Sequence, residues 1–183
     1  LGVLMTKKNR LIRAILRIYL EIIRIMPQMV LLFLAYFGTA RAFGWNLDGE
    51  TAAIIVFALW GTAEMSDLVR GALVSIPRHQ YESAEALGLT RGQVFRYVVL
   101  PQAVSISMPA FMANIIFLLK ETSVFSAISL MDLMFTAKDL IGLYYKTAEN
   151  LFLLVVFYLI ILLPVSLLGS WLERRLRYAG FGA

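Results

Sequence analysis

Of the 183 residues, 60% are apolar and only 16% are charged, and the mean hydropathy is +0.77, a composition too apolar for an ordinary soluble domain of this size. Seventeen Lys and Arg against 12 Asp and Glu leave a net charge of +5, but the basic residues sit in short clusters, as in the cytoplasmic loops of membrane proteins, which fits better than nucleic-acid binding. No cysteine is present, which excludes disulfides, thiolate metal sites and cysteine nucleophiles.

The first residues, LGVLM, read as the tail of an apolar segment entering a basic stretch from Lys7 to Arg17. A secretory signal would place charge before the apolar run, so one more helix is expected upstream. From Lys7 to Arg24 basic and apolar residues alternate at helical spacing, with Leu11, Ile15, Ile18 and Ile22 on one face. Such a helix lies at an anionic membrane surface or extends the first span on the cytoplasmic side. The first span is predicted from Ile25 to Ala40, kinked near its inner end by Pro27. Residues Phe43 to Glu50 (FGWNLDGE) have the composition of a short external turn, with Trp45 at the interface.

A second span is predicted from Thr51 to Ser75, carrying Glu64 and Asp67 and ending at Pro77. The polar stretch Pro77 to Arg96 reads as a cytoplasmic loop of two short helices broken at Gly88. A third span starts at Leu100, carries Pro101, Pro109 and Asn114, and reaches a polar cluster from Lys120 to Ser123. Residues Phe125 to Glu149 are expected outside, and a fourth span descends to a basic tail at Arg174, with Trp171 at the interface. Between Arg96 and Lys120, and between Glu149 and Glu173, more than twenty residues pass without a charged side chain, enough for a helix to cross a bilayer.

The predicted class is therefore all-α integral membrane: a single 1–183 domain, a bundle of about four transmembrane helices with a fifth expected upstream. Placing both chain ends inside gathers Lys7, Lys8, Arg10, Arg13, Arg17, Arg24, Arg70, Arg78, Arg91, Arg96, Arg174, Arg175 and Arg177 on the cytoplasmic side. Four spans return the chain to that side, so span number and charge bias agree.

Within the loop, Tyr81, Ala84 and Leu87 form a small apolar stripe able to enter a groove on a partner. Gly88 permits the backbone reversal that a helix end needs. Thr90 and Gln93 have capping-box spacing for the second helix, which Val94, Phe95 and Val98 fix against the membrane domain. Glu82 presents charge to basic groups of the partner or caps the docking helix. A membrane-bound amphipathic hairpin without a partner is the plainer reading of the same residues.

The stretch PRHQYESAEALGLTRGQVFRYVVLPQAV, Pro77 to Val104, resembles the signature loop of binding-protein-dependent ABC importer permeases. That pattern is Glu-Ala-Ala, three residues, Gly, nine residues, then Ile-x-Leu-Pro. Glu82, Ser83 and Ala84 fill the triplet, Gly88 the glycine, and Val98, Leu100 and Pro101 the end. Further segments are similar to the polar amino-acid branch of the family: RIYLEIIRIMPQ, Asp67 to Gly71, LPQA, LKETS and the closing LERRL. The resemblance implies ATPase-coupling roles for Glu82, Ser83, Ala84, Leu87, Gly88, Leu100 and Pro101. It also implies a two-permease, two-ATPase complex in a bacterial inner membrane, fed by an extracytoplasmic solute-binding protein. ATP and Mg would be bound by the ATPase dimer, with no cofactor in this chain, and transport would proceed by alternating access.

An ionisable side chain inside a span faces a cavity or a partner. The candidate solute contacts are Glu64 or Glu121 for an ammonium, and Asn114, Thr122, Ser123 or freed backbone groups for a carboxylate. Asp67 reads more simply as an ion-pair partner of Arg70, and Lys120 as paired with a neighbouring acid. Acids in the cavity suit neutral or cationic amino acids, whereas MDLMFTAKDLIGLYYKT resembles permeases for acidic ones; both stay open. His79 reads as an exposed loop residue. Without a glycine-rich phosphate loop or a histidine cluster, ATP hydrolysis in this chain is not expected. Among rival classes, a channel or scaffold needs no such loop, and a secondary transporter would show inverted repeats and more spans. A permease for another small polar solute is the nearest alternative.

Overall fold

The computed structural model describes residues 1–3 and 10–176, so Lys7, Lys8 and Arg177 lie outside the described residues. Among the described residues regular structure is entirely helical. In chain order the elements are α1 (Arg10–Ile25), α2 (Gln28–Phe43), α3 (Gly49–Ser75), α4 (Arg78–Ala86), α5 (Arg91–Ile128), α6 (Leu133–Tyr144) and α7 (Thr147–Leu176). Three of them, α3, α5 and α7, are long and apolar enough to cross a membrane, and the bent pair α1 and α2 supplies a fourth if it counts as one span.

Prolines set the breaks. Pro27 lacks an N–H and its ring would clash with a carbonyl one turn back; it takes extended backbone, φ −59° and ψ 134°, and the chain turns by 101° there. The expected kink is thus a full corner, and the apolar helix beyond it runs from Gln28 to Phe43, through a π-helical turn at Leu34–Gly38. Gly44, at φ +70°, ends it. Asp48 starts α3: its carboxylate accepts from the Thr51 hydroxyl at 2.7 Å and the Thr51 N–H at 3.0 Å. The same bonds hold the Asp48 carboxyl below its usual range. Its contribution is therefore complete above ordinary carboxylate titration and fades as pH falls through the lowered value.

The largest departure from expectation concerns α5. No second short helix follows Gly88; instead one helical run continues from Arg91 into the third span. Its first turns are π-helical over Val94–Val99, immediately before Pro101. A proline leaves the carbonyl four residues earlier without its α-helical donor and crowds it, and a widened turn relieves both. The segment beyond Phe125, predicted only as external, contains α6, capped where Asp132 Oδ1 accepts from Phe135 N–H at 2.6 Å.

The chain divides into two compact units. The first comprises the described residues of 1–21, 63–114 and 166–176; its core joins Ala72, Leu73 and Ile76 of α3 to Ala84 of α4 and Val94, Val99 and Ala103 of α5. In this unit Gly169 of α7 packs directly on Met112 of α5. The second unit, 22–62 and 115–165, is centred on Leu32, Ala53, Val56, Phe125 and Ile128, with Phe57 and Phe125 edge to face at 5.4 Å. Along α7 the leucines, isoleucines and phenylalanines stand mostly exposed, which in water would be a severe cost but in lipid is none.

Candidate functional site

The Pro77 to Val104 loop is built on the first unit's core. Helix α4 starts after Pro77, whose extended backbone is that of an N-cap residue and which has no N–H to leave unpaired. At its end Gly88 adopts φ +82°. Two bonds close the helix there: Gly88 N–H donates to Glu85 C=O at 2.9 Å, and the left-handed Gly88 turns Leu89 N–H back to Ala84 C=O at 3.2 Å. Together they satisfy carbonyls that a helix end otherwise leaves open. Leu89 then packs on the same core as Ala84.

At the start of α5, Thr90 and Gln93 form the capping box, with Thr90 N–H and Oγ1 both donating to Gln93 Oε1 at 2.9 Å. Removing such a cap costs about 1 kcal/mol. Thr90→Ala is therefore expected to lower the thermal midpoint of the purified protein by a few degrees and to speed proteolysis between Leu87 and Arg91, while Thr90→Ser leaves both unchanged.

Burial sorts the loop into an anchored side and a free side. Ala84 is only 4% exposed and Tyr81 packs beside it, whereas Leu87 is 83% exposed. The stripe expected to enter a partner is therefore split. Tyr81 and Ala84 hold α4 to the chain's own core, because the C-terminal end of α3 and the N-terminal end of α5 already cover that face, and only Leu87 is offered outward. Glu82, Ser83, Glu85, Ala86 and Gly88 are exposed beside it. Gln102 Nε2 donates to Gln80 Oε1 at 3.4 Å, a second tie between α4 and α5. On α5, Val94 and Val99 are buried and Val98 packs on the core, but Phe95 stands exposed and does not anchor the helix. Leu100 also points outward and Pro101 is half-buried; the buried contacts on this stretch belong to Val99 and Ala103. The LPQA segment carried a signal for Ala103, but Val99 falls one residue off the expected pattern. His79 is exposed on α4.

Polar positions in the spans fall in two groups. In the first unit Glu64 is half-buried on α3, next to Met65, whose Sδ lies 4.0 Å from Asn114 Nδ2 on α5. Asp67 accepts from Arg70 Nε at 3.0 Å and Nη2 at 2.7 Å, the ion pair expected from sequence. In the second unit Glu121, Thr122 and Ser123 are half-buried where α5 tightens into a 3-10 turn. Thr122 Oγ1 donates to Leu119 C=O at 2.8 Å. Lys120 is exposed, and among the described residues its ammonium has no acid partner, contrary to the expected pairing; one residue apart on a helix, Lys120 and Glu121 do not share a face.

Thr122 lines a cavity of about 230 Å³ with Leu119, Asp132, Leu133, Tyr158, Ile161 and Leu162. Asp132 Oδ2 is buried there without a hydrogen-bond partner among the described residues, and Tyr158 of α7 lines the same cavity. Asp132 and Tyr158 were not singled out from sequence; the one available signal was a tyrosine in the otherwise apolar run of α7.

The model of the binding-protein-dependent transport system inner membrane component family matches residues 1–178. The chain belongs to this family. It is the membrane permease subunit of an ABC importer, a system whose ATPase resides on a separate subunit. A probable glutamine ABC transporter permease of Bacillus subtilis is 31% identical over 159 residues, covering 86% of this chain and 73% of the relative. The glutamine transport system permease of Escherichia coli K12 is 33% identical over 161 residues, covering 87% and 74%, and an arginine transport system permease of Bacillus subtilis is 30% identical over 159 residues, covering 87% and 73%. Among solved structures, an amino acid ABC transporter crystallised with histidines superposes with a TM-score of 0.87 at 30% identity, over 95% of this chain and 81% of that one. A methionine ABC transporter in an inward-facing conformation matches in fold, with a TM-score of 0.71 at 23% identity.

Proposed function

We propose that this permease passes a polar amino acid across a bacterial inner membrane by alternating access, with residues 77–104 as the loop on which a partner ATPase docks. The observation that carries the coupling role is the two-sidedness of α4: Leu87, Glu82, Ser83 and Gly88 are free while Ala84 and Tyr81 share one core with α3 and α5. A push on the exposed face is thereby delivered to both spans as a rigid-body movement, since a packed core does not deform continuously. Both ends of the chain and the loop lie on the cytoplasmic side. The working assembly contains two permeases, an ATPase dimer that holds ATP and Mg, and an extracytoplasmic solute-binding protein. The relatives named for glutamine and arginine support the substrate class. The candidate solute contacts in the spans are Glu64, Asn114, Glu121, Thr122 and Ser123, and Asp132 and Tyr158 line the cavity beside Thr122.

The test is ATP hydrolysis in proteoliposomes containing the permease, its ATPase and its binding protein, scanned over single amino acids. One amino-acid class is expected to stimulate hydrolysis, and Glu121→Gln to raise the concentration needed in a binding-protein-independent assay by roughly tenfold. Stimulation by a sugar, peptide or metal chelate and by no amino acid overturns the substrate assignment.

A further inference from the structure

Helix α1 carries two stripes that solute passage does not explain. Leu11, Ile15, Ile18, Ile22 and Ile25 recur at helical spacing and are all exposed, from 53% at Ile22 to 77% at Ile25. Arg10, Arg13 and Arg17 form a second stripe on the same helix. Within the first unit these three arginines and Arg70 line one cavity of about 670 Å³, together with Ala14, Ile18 and Val74. Only Arg70 of the four is neutralised locally, by Asp67; among the described residues no acid meets Arg10, Arg13 or Arg17. Nothing in α1's own folding explains three unpaired arginines spaced three and four residues apart toward one hollow, since like charges at that spacing destabilise a helix.

We infer that this cavity holds the phosphate of an anionic phospholipid, with the acyl chains lying along the isoleucine stripe. Arginine forks match phosphate oxygens two at a time. The cavity is far larger than an inorganic phosphate needs, and its Ala14, Ile18 and Val74 lining suits the glycerol end of a lipid better than a free anion. The adjoining apolar stripe requires an acyl environment, and the basic and apolar faces of one helix meet those two demands together, as at an anionic membrane interface.

The test uses the assembled permease and ATPase in phosphatidylcholine bilayers doped with spin-labelled phosphatidylglycerol or spin-labelled phosphatidylcholine. The protein is expected to immobilise the anionic probe with a selectivity of roughly tenfold. The triple variant Arg10→Gln, Arg13→Gln, Arg17→Gln loses that selectivity, and the corresponding triple Lys variant retains most of it. If the triple Gln variant fails to assemble, Arg13→Gln alone is expected to reduce the selectivity measurably. Equal immobilisation of the two lipids, or a preference unchanged by the Gln variants, overturns the proposal. Displacement of the anionic probe by millimolar inorganic phosphate reassigns the cavity to a free anion and overturns the lipid assignment. Since lipid immobilisation is read without transport, its failure is distinct from a failure of the substrate assignment.

Discussion

Gly88→Val is expected to abolish solute-stimulated ATP hydrolysis while leaving the membrane part of the protein folded. At φ +82° an L residue pays about 1–2 kcal/mol, and a β-branched one more. Of the two bonds that close α4, the one from Leu89 N–H to Ala84 C=O requires that conformation, so the strained chain gives it up and the turn after Leu87 loses its closure. A Cβ at Gly88 meets nothing within 4 Å, so within this chain the penalty is purely conformational. That permits a graded test: activity should fall in the order Gly, Asn, Ala, Val, because asparagine tolerates the left-handed region better than alanine. Reconstituted ATPase assays on the four proteins, with co-purification of the ATPase as the assembly check, read the order directly. If asparagine is as damaging as valine, the glycine is there to let a partner approach the backbone. Full activity in the valine variant would remove the loop from the coupling path.

These particulars also mark what a sequence can and cannot show. Pro27, Gly88 and the Thr90 and Gln93 pair were legible because each acts through its own backbone: a missing N–H, a positive φ, a side chain reaching three residues. The long uncharged runs were legible because a bilayer fixes their length. The orientation of Tyr81, Ala84 and Leu87 was not, since spacing tells which residues share a helix face and not which neighbour covers it. The C-terminal end of α3 and the N-terminal end of α5 take Tyr81 and Ala84, and that depends on packing between segments distant in sequence. The same holds for the cavity beside Thr122, where Asp132 and Tyr158 come from different helices. The π-helical turn at Val94–Val99 is a compromise between Pro101 and the packing of Val94 and Val99, visible only once both are placed. Helix α6 was missed for another reason: its cap, Asp132 bonded to the N–H of Phe135, was present in the sequence but lay in a segment read by charge rather than by periodicity.

The second large effect lies away from the loop, where α7 crosses α5 in the first unit. A Cβ on Gly169 would sit 2.9 Å from Met112 Cε, 3.1 Å from its Cβ and 3.2 Å from its Cγ. The terminal methyl can swing aside, but Met112 Cβ is fixed by its backbone, so even alanine forces the helices apart by a few tenths of an ångström. In a bilayer no hydrophobic term offsets that separation, because lipid tails are as apolar as the side chains they replace, and close packing around small residues holds the helices together. Gly169→Ala is expected to cost about 1–3 kcal/mol, the usual range for overpacking, and Gly169→Leu to prevent stable assembly, read as loss of monodisperse protein in detergent and of complex with the ATPase. Met112→Ala removes two of the three obstructing atoms, so the double variant Gly169→Ala, Met112→Ala should recover part of the stability lost by Gly169→Ala alone, although Met112→Ala by itself leaves a cavity and destabilises. An absence of coupling between the two substitutions would mean that α5 and α7 meet elsewhere along their lengths and that Gly169 answers to a different neighbour, such as the second permease of the assembly.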